Sequence, residues 1–346
     1  MIYGHGDDAY RYGSSIRLDF SSNIYNHADL AGLKEHLATR MDLIAHYPEP
    51  EPHGVEQLLA SQLGISSDCL LLTNGCTEAI YLLAQLFRGR PSVIPQPTFS
   101  EYADACRLYG HVISYEKNDE LSHLPEDRIY WICNPNNPTG NVLMKGFTDY
   151  VVRRNREYTF IVDQSYEHYT QEALFTAAET VEHPNLIVLH SLTKQFAVPG
   201  LRLGYITANA ATISRLRALR QPWAFNALSL EAARYLLSST PSSCIPDLTA
   251  YLDEARRLHD GLNRLPGLRV MDTKSSFMMV QIEPRTSTEL KQYLAEKHGI
   301  LIRDCANFYS LSNHYFRVST QQKEENDELL KAIETFLNEE TNNTKK

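Results

Sequence analysis

The chain has 346 residues, 43% hydrophobic and 22% charged, with 16 Gly and 16 Pro; that balance suits globular domains with a full core and excludes extensive disorder. A net charge of -9 and a pI near 5.8 exclude a general nucleic-acid binder, which needs a basic face, while leaving room for a local basic pocket. The six cysteines show no C-x-x-C spacing and no zinc or disulfide pattern, "MIYGHGDDAYRYG" is too polar for a signal peptide, and no run approaches the roughly 18 apolar residues of a membrane helix. A soluble, cytoplasmic protein with reduced thiols and no membrane contact is expected.

In chain order, residues 1–46 read as an N-terminal arm that contributes to a small domain and closes over the substrate. The Pro-rich "YPEPEPHG" (47–54) leads into a large domain, set at 47–230. There, short apolar runs alternate with longer helical patterns. "CLLLT" (69–73) precedes "TEAIYLLAQLF" (77–87), and "SVIPQP" (92–97) precedes "SEYADACRLYG" (100–110). "IYWIC" (129–133), "TFIVD" (159–163), "NLIVLH" (185–190) and "RLGYIT" (202–207) are further strands. Near-continuous apolar runs bounded by turn residues predict strands covered on both faces, hence an α/β, three-layer domain with a mostly parallel sheet. From about residue 228 long amphipathic helices take over with a few strands between them, among them "SFMMVQI", "ILIRD" and "YFRVS". They predict a smaller α+β domain at 231–346, ending in a frayed "TNNTKK" tail.

Ligands in open α/β sheets bind beyond the C-terminal ends of the strands, and here those ends carry specific chemistry. "CLLLT" runs into Asn74, Gly75, Cys76 and Thr77 at a helix start; "IYWIC" into "NPNNPTG"; "TFIVD" closes on Asp163, with Tyr166 three residues on; "NLIVLH" runs into Ser191, Thr193 and Lys194. A glycine turn into a helix suits a phosphate, and Ser191, Thr193 and Arg202 add donors. Lys194, desolvated beside Arg202, becomes a nucleophilic amine. A phosphate cup, a Schiff-base lysine and a carboxylate for a ring nitrogen together describe pyridoxal 5'-phosphate, PLP. The six cysteines leave no metal site to add.

The stretches "NGCTE", "PTFSEY", "NPNNPTG", "VDQSY", "SLTKQFAVPGLRLGY", "ILIRDCANF" and "YFRVS", in that order and with Lys194 and Arg202 eight residues apart, make the chain resemble the fold-type I PLP enzymes of aminotransferase class I/II. It looks like the branch that holds histidinol-phosphate aminotransferase and L-threonine O-3-phosphate decarboxylase; "QPWAFNALSLEA", "ILIRDCANF", "GHG" and "LDFSSNI" are similar to the decarboxylase. The resemblance implies the aspartate aminotransferase type of fold and a set of roles. Lys194 binds the cofactor and shuttles a proton, Asp163 pairs with the ring nitrogen, Asn137 and Tyr166 bond the ring oxygen, and Phe99 stacks on the ring. Gly75, Cys76 (through its backbone N–H), Thr77, Ser191, Thr193 and Arg202 hold the phosphate. Tyr47 reaches the partner's site in a homodimer. Arg317 and Arg303 hold the anionic groups of the substrate, and Asn23 and His5 contribute from the N-terminal segment.

The chain departs from the family pattern in four places: Gln164 and Ser165 follow Asp163 where Glu-Ala is common, "SSNIYNHADL" lacks a proline and glycine, Ser276 stands where many relatives carry an asparagine, and the link between "ISYEK" and "IYWIC" is short. Two activities stay open at this point. One is decarboxylation of a phosphorylated amino acid; the other is transamination, for which the same lysine, aspartate and phosphate cup serve and only substrate orientation differs. A ligand-binding protein without catalysis is a third reading, opposed by the intact Lys194, Asp163 and Arg202 set.

Overall fold

The protein's structure, a computed structural model, describes residues 8–117, 128–239 and 243–339. His5, the link between "ISYEK" and "IYWIC", and the "TNNTKK" tail lie outside the described residues, wholly or in part.

The arm holds β1 (Leu18–Asp19) and α1 (Ala31–Ala38). The large unit follows with α2 (His53–Leu63), β2 (Leu70–Thr73), α3 (Gly75–Leu86), β3 (Pro91–Gln96), α4 (Glu101–Leu108), β4 (Val112–Lys117), β5 (Ile129–Cys133), α5 (Lys145–Arg154) and β6 (Thr159–Asp163). It continues with α6 (Ala177–Glu182), β7 (Leu186–His190), α7 (Leu192–Gln195), β8 (Gly204–Thr207), α8 (Ala210–Arg217) and α9 (Ala227–Ser239). Seven strands pair in the order β2-β8-β7-β6-β5-β3-β4. Only β8 runs against its neighbours β2 and β7, so β2, β5, β6 and β7 end on one edge of the sheet.

The apolar runs work as two-faced strands. Leu71 packs with α3 and α4 residues such as Ile80, Leu83 and Tyr102, while its neighbours Leu70 and Leu72 pack on the opposite face with Val55 and Leu59 of α2 and Ala233 of α9. Ile187 and Leu189 of β7 join the first layer; Leu186 and Val188 face the other way. Alternating side chains on a strand require two covered faces, and therefore three layers.

The small unit contains α10 (Leu248–Asn263), β9 (Leu268–Val270), β10 (Phe277–Ile282), α11 (Ser287–Tyr293), β11 (Ile300–Leu301), β12 (Arg303–Asp304), β13 (Tyr315–Ser319) and α12 (Lys323–Glu339). An antiparallel sheet, β12-β13-β10-β9, packs against Leu258 and Leu262 of α10 and Leu329 and Ile333 of α12. β1 pairs in parallel with β11, and Phe20 enters the same core.

Packing shifts two of the expected boundaries. A cut at residue 231 passes through α9, whose Ala232, Ala233 and Leu236 belong to the large unit's core. Leu33 of α1 lies in that core too, while Leu18–Phe20 join the small unit, so the arm is divided between the two. The hydrophobic pattern shows that a helix has an apolar face but not which sheet that face meets. No helix among the described residues is long and apolar enough to cross a membrane.

Candidate active site

A cavity of about 690 Å³ opens where β2, β5, β6 and β7 end and the small unit leans over them. On the large-unit side, Ser191 ends the apolar run of β7 and caps α7, its hydroxyl accepting from the Lys194 N–H at 3.3 Å. That cap turns the chain so that Lys194 points into the cavity, with Nζ 5.7 Å from the Tyr166 ring centre. Burial, then the charges of Arg317 and Arg202, bring the Lys194 pKa down from 10.5 to about 8. Arg202 itself has a left-handed backbone (φ +54°) and its guanidinium lies against Gly75 at the start of α3. A Cβ on Gly75 would stand 2.6 Å from Arg202 Nη2, and Gly75 has φ +77°, so both contact and conformation demand glycine there.

Asp163, at the end of β6 and 4% exposed, accepts from the Tyr102 hydroxyl at 2.7 Å and from the Ser165 N–H at 2.9 Å. Tyr102, fully buried, lies edge-on to Phe99 and is stacked on Trp131; burial keeps its hydroxyl protonated as a donor. Burial likewise pushes the Tyr166 hydroxyl up, against the opposing pull of Arg317. Cys76 donates to the His190 carbonyl at 3.2 Å and accepts from the Ser165 hydroxyl at 3.2 Å; its thiol is pushed up to about 12 by burial and Asp163, so it stays neutral.

The facing wall comes from the small unit and the arm. Arg303 of β12 and Arg317 of β13 are direct partners across the antiparallel pair, both buried and both lining the cavity. Arg317 donates from Nη1 to Asn137 Oδ1 and from Nη2 to the Ser21 carbonyl, while its Nε bonds nothing. Arg303 donates to Asn307 Oδ1 at 2.8 Å and lies over the Phe308 ring; burial, then Arg317, bring its pKa down to about 10. Asn23, 1% exposed, also lines the cavity. It lies close enough to Tyr166 to favour the ionised phenol slightly, but neither amide atom reaches hydrogen-bond geometry with any residue.

The family model for aminotransferase class I and II matches residues 15–333. The chain belongs to this family. Within it, L-threonine-O-3-phosphate decarboxylase from Porphyromonas gingivalis superposes with a TM-score of 0.90 at 35% identity, covering 93% of this chain and all (100%) of that one. Threonine-phosphate decarboxylase from Salmonella typhimurium is 29% identical over 336 residues, 92% of this chain and 91% of that protein. Histidinol-phosphate aminotransferase from Methanocaldococcus jannaschii is 25% identical over 322 residues, 88% of this chain and 85% of that protein.

The chain is thus an enzyme of aminotransferase class I and II, and its cofactor is PLP. The cavity fits that group. One end offers the α3 N-terminus and Arg202 for a phosphate, the middle a lysine of lowered pKa, and the floor a buried carboxylate. The orphaned Asn23 amide and Arg317 Nε opposite still lack partners, as groups awaiting a ligand do. Of the residues singled out in sequence, Cys76, Thr77, Phe99, Asn137, Asp163, Tyr166, Ser191, Thr193, Lys194, Arg202, Asn23, Arg303 and Arg317 all line the cavity. Gly75 shapes it from behind, through the contact with Arg202. Tyr47 does not line it; it is 88% exposed, its ring 5.7 Å from that of Trp223. Thr193 needs a correction as a phosphate donor. Its hydroxyl donates to the Leu203 carbonyl at 3.1 Å and accepts from the Leu203 N–H, so it ties α7 to the Arg202 turn instead.

Sequence reasoning missed Tyr102, Ser165 and the Tyr81–Glu101 pair (2.9 Å) on the cavity wall. Tyr102 and Glu101 stand inside the quoted "PTFSEY", but α4 periodicity alone does not say that Tyr102 reaches Asp163. The Gln164 departure is structural: fully buried, it clasps both backbone polar groups of Phe175.

Proposed function

We propose that the protein decarboxylates a small amino acid carrying a second anionic group, best matched by L-threonine O-3-phosphate, giving (R)-1-amino-2-propanol O-2-phosphate and carbon dioxide. The observation that carries this reading is the register pair Arg303–Arg317 on the wall facing Lys194. Two guanidinium groups side by side, one still with an unbonded Nε, suit a substrate with both a carboxylate and a phosphate. The named activities of the P. gingivalis and S. typhimurium relatives support it.

In this reading PLP, when bound, supplies the electron sink for the pair left at the substrate's α-carbon. Lys194 holds the cofactor covalently, and its Nζ moves a proton; the lowered pKa keeps a useful fraction neutral near physiological pH. Asp163, fixed by Tyr102 and Ser165, would pair with the ring nitrogen. Phe99 would stack on the ring, and Tyr166 and the Asn137 amide nitrogen would bond its oxygen, since Asn137 Oδ1 already accepts from Arg317. The N–H groups of Gly75, Cys76 and Thr77, the Ser191 hydroxyl and Arg202 take the cofactor phosphate, with Tyr47 of a second copy completing the cup in a cytoplasmic homodimer. Arg317, Arg303 and Asn23 orient the substrate so that the Cα–carboxylate bond breaks, carbon dioxide leaves and a proton replaces it.

Transamination of histidinol phosphate is the second reading, favoured by the M. jannaschii relative. Purified holoenzyme given threonine phosphate will release carbon dioxide without any oxo-acid, and Lys194→Ala will abolish both turnover and the visible absorbance of the lysine-bound cofactor. Glutamate formation from 2-oxoglutarate and histidinol phosphate, with no carbon dioxide from threonine phosphate, would replace the first reading with the second.

A further inference from the structure

Behind the cavity one tyrosine hydroxyl ties the arm to the Lys194 turn. Tyr169, in the turn after β6, is fully buried. Its hydroxyl donates to the Lys194 carbonyl at 2.9 Å and accepts from the Tyr25 N–H at 3.1 Å, using both capacities of a phenol. Tyr25 closes the segment Ser21–Tyr25, whose other end belongs to the small unit: Ser319 donates to the Phe20 carbonyl at 2.9 Å, Arg317 donates to that of Ser21, and Asp19 caps the Ser21 N–H at 2.7 Å. Between these anchors sits Asn23, buried on the cavity wall with an unbonded amide.

We propose that Tyr169 is a positioning residue that sets Asn23 against the Lys194 turn, fixing the gap in which the substrate's α-carbon sits. The inference rests on the reading of Lys194 and the arm given above and names a residue outside the cavity lining. The small-unit anchors fix Asn23 relative to Arg317; the hydrogen-bonded Tyr25–Tyr169–Lys194 link fixes it relative to the lysine. A buried aromatic ring needs no hydroxyl to fill its core, and the ring contacts with Tyr166 and Tyr251 survive its removal. The hydroxyl is therefore separable from the packing, and small displacements of substrate-positioning groups weigh heavily on turnover.

The test uses holoenzyme of Tyr169→Phe, Asn23→Ala and the double variant. Tyr169→Phe will keep the visible absorbance and raise KM about tenfold, the effect of one lost hydrogen bond, with kcat within about threefold. The double variant will be no worse than Asn23→Ala alone, because Tyr169 acts through Asn23. In the unmodified protein the Tyr25 amide will exchange slowly with solvent. An unchanged KM with a lowered Tm, additive effects in the double variant, or a rapidly exchanging Tyr25 amide would each overturn the proposal. Failure of the underlying reading looks different: Lys194→Ala would keep its absorbance.

Discussion

The two ends of the cavity are built by different means. At the cofactor end, short stretches of chain do the positioning themselves: Ser191 caps α7, the Thr193 N–H bonds the Leu203 carbonyl at 2.9 Å, and Gly75 leaves room for Arg202. At the substrate end, three remote segments (19–25, 303–308 and 315–319) meet; backbone pairing lays them side by side, and the Arg317 side chain then reaches both Ser21 and Asn137. Backbone-built sites tolerate few changes. A wall assembled from side chains can change its substrate through a handful of substitutions while the cofactor end stays as it is.

The largest effect that separates the two ends is expected at Arg317. Arg317→Ala removes the charge facing the substrate and the links to Ser21 and Asn137 together, and kcat/KM will fall about 10³-fold, the scale of a lost buried charged contact. The visible absorbance of the bound cofactor will persist, because Lys194, Asp163 and Arg202 keep their own hydrogen bonds and Asn137 loses one partner. Arg303→Ala will cost less than Arg317→Ala, since Arg317 ties the arm at Ser21 and the large unit at Asn137 in addition to facing the substrate. Equal loss of cofactor and of turnover in Arg317→Ala would mean that the cavity is one unit rather than two.

This division also explains what could be read from sequence. The sheet order and its open edge followed from apolar runs with turn residues at their ends, and "SLTKQFAVPGLRLGY" placed Lys194, Ser191 and Arg202 together because the turn is local. Arg303 and Arg317 were legible only through resemblance; no pattern in "ILIRD" and "YFRVS" says that those strands pair with the two arginines in register. Tyr102, Ser165 and Tyr169 were illegible for the same reason, as their partners lie 61, 89 and 25 residues away. Thr193 looked like a phosphate donor until the Leu203 backbone, brought close by the left-handed turn at Arg202, occupied its hydroxyl. The fate of α9 was open because an amphipathic stripe carries no address.

A middle-sized effect tests the rigidity of the cofactor end. Gly75→Ala places a methyl group 2.6 Å from Arg202 at φ +77°, combining a clash with a conformation that L-residues avoid. The variant is expected to fold, since α3 has five other buried side chains in its core face, but to bind PLP about 10²-fold more weakly. Equilibrium dialysis of the cofactor reads this directly, and affinity within about threefold of the parent would show that the Arg202 guanidinium moves freely. KM for substrate, measured at saturating cofactor, will change far less than in Arg317→Ala.

The smallest effect asks whether the two ends sense each other's charge. Lys194 must lose a proton before its amine attacks the cofactor's carbonyl carbon, so capture of PLP by cofactor-free protein speeds up as pH rises and levels off above about 8. From about pH 7 to about pH 9 the neutral fraction, and hence the rate, grows roughly tenfold. Burial is the first cause of the lowered pKa and Arg317 the second, ahead of Arg202. Removing a neighbouring positive charge eases protonation, so Arg317→Ala will move the midpoint upward, part of the way toward the ordinary 10.5, and slow capture at about pH 7. Following the visible absorbance after mixing, across pH, for both proteins measures the two midpoints and cancels any titration of the cofactor itself. An unmoved midpoint would leave desolvation and Arg202 as the causes and make the ends electrostatically independent; an upward shift makes the substrate wall a part of what readies Lys194 for its cofactor.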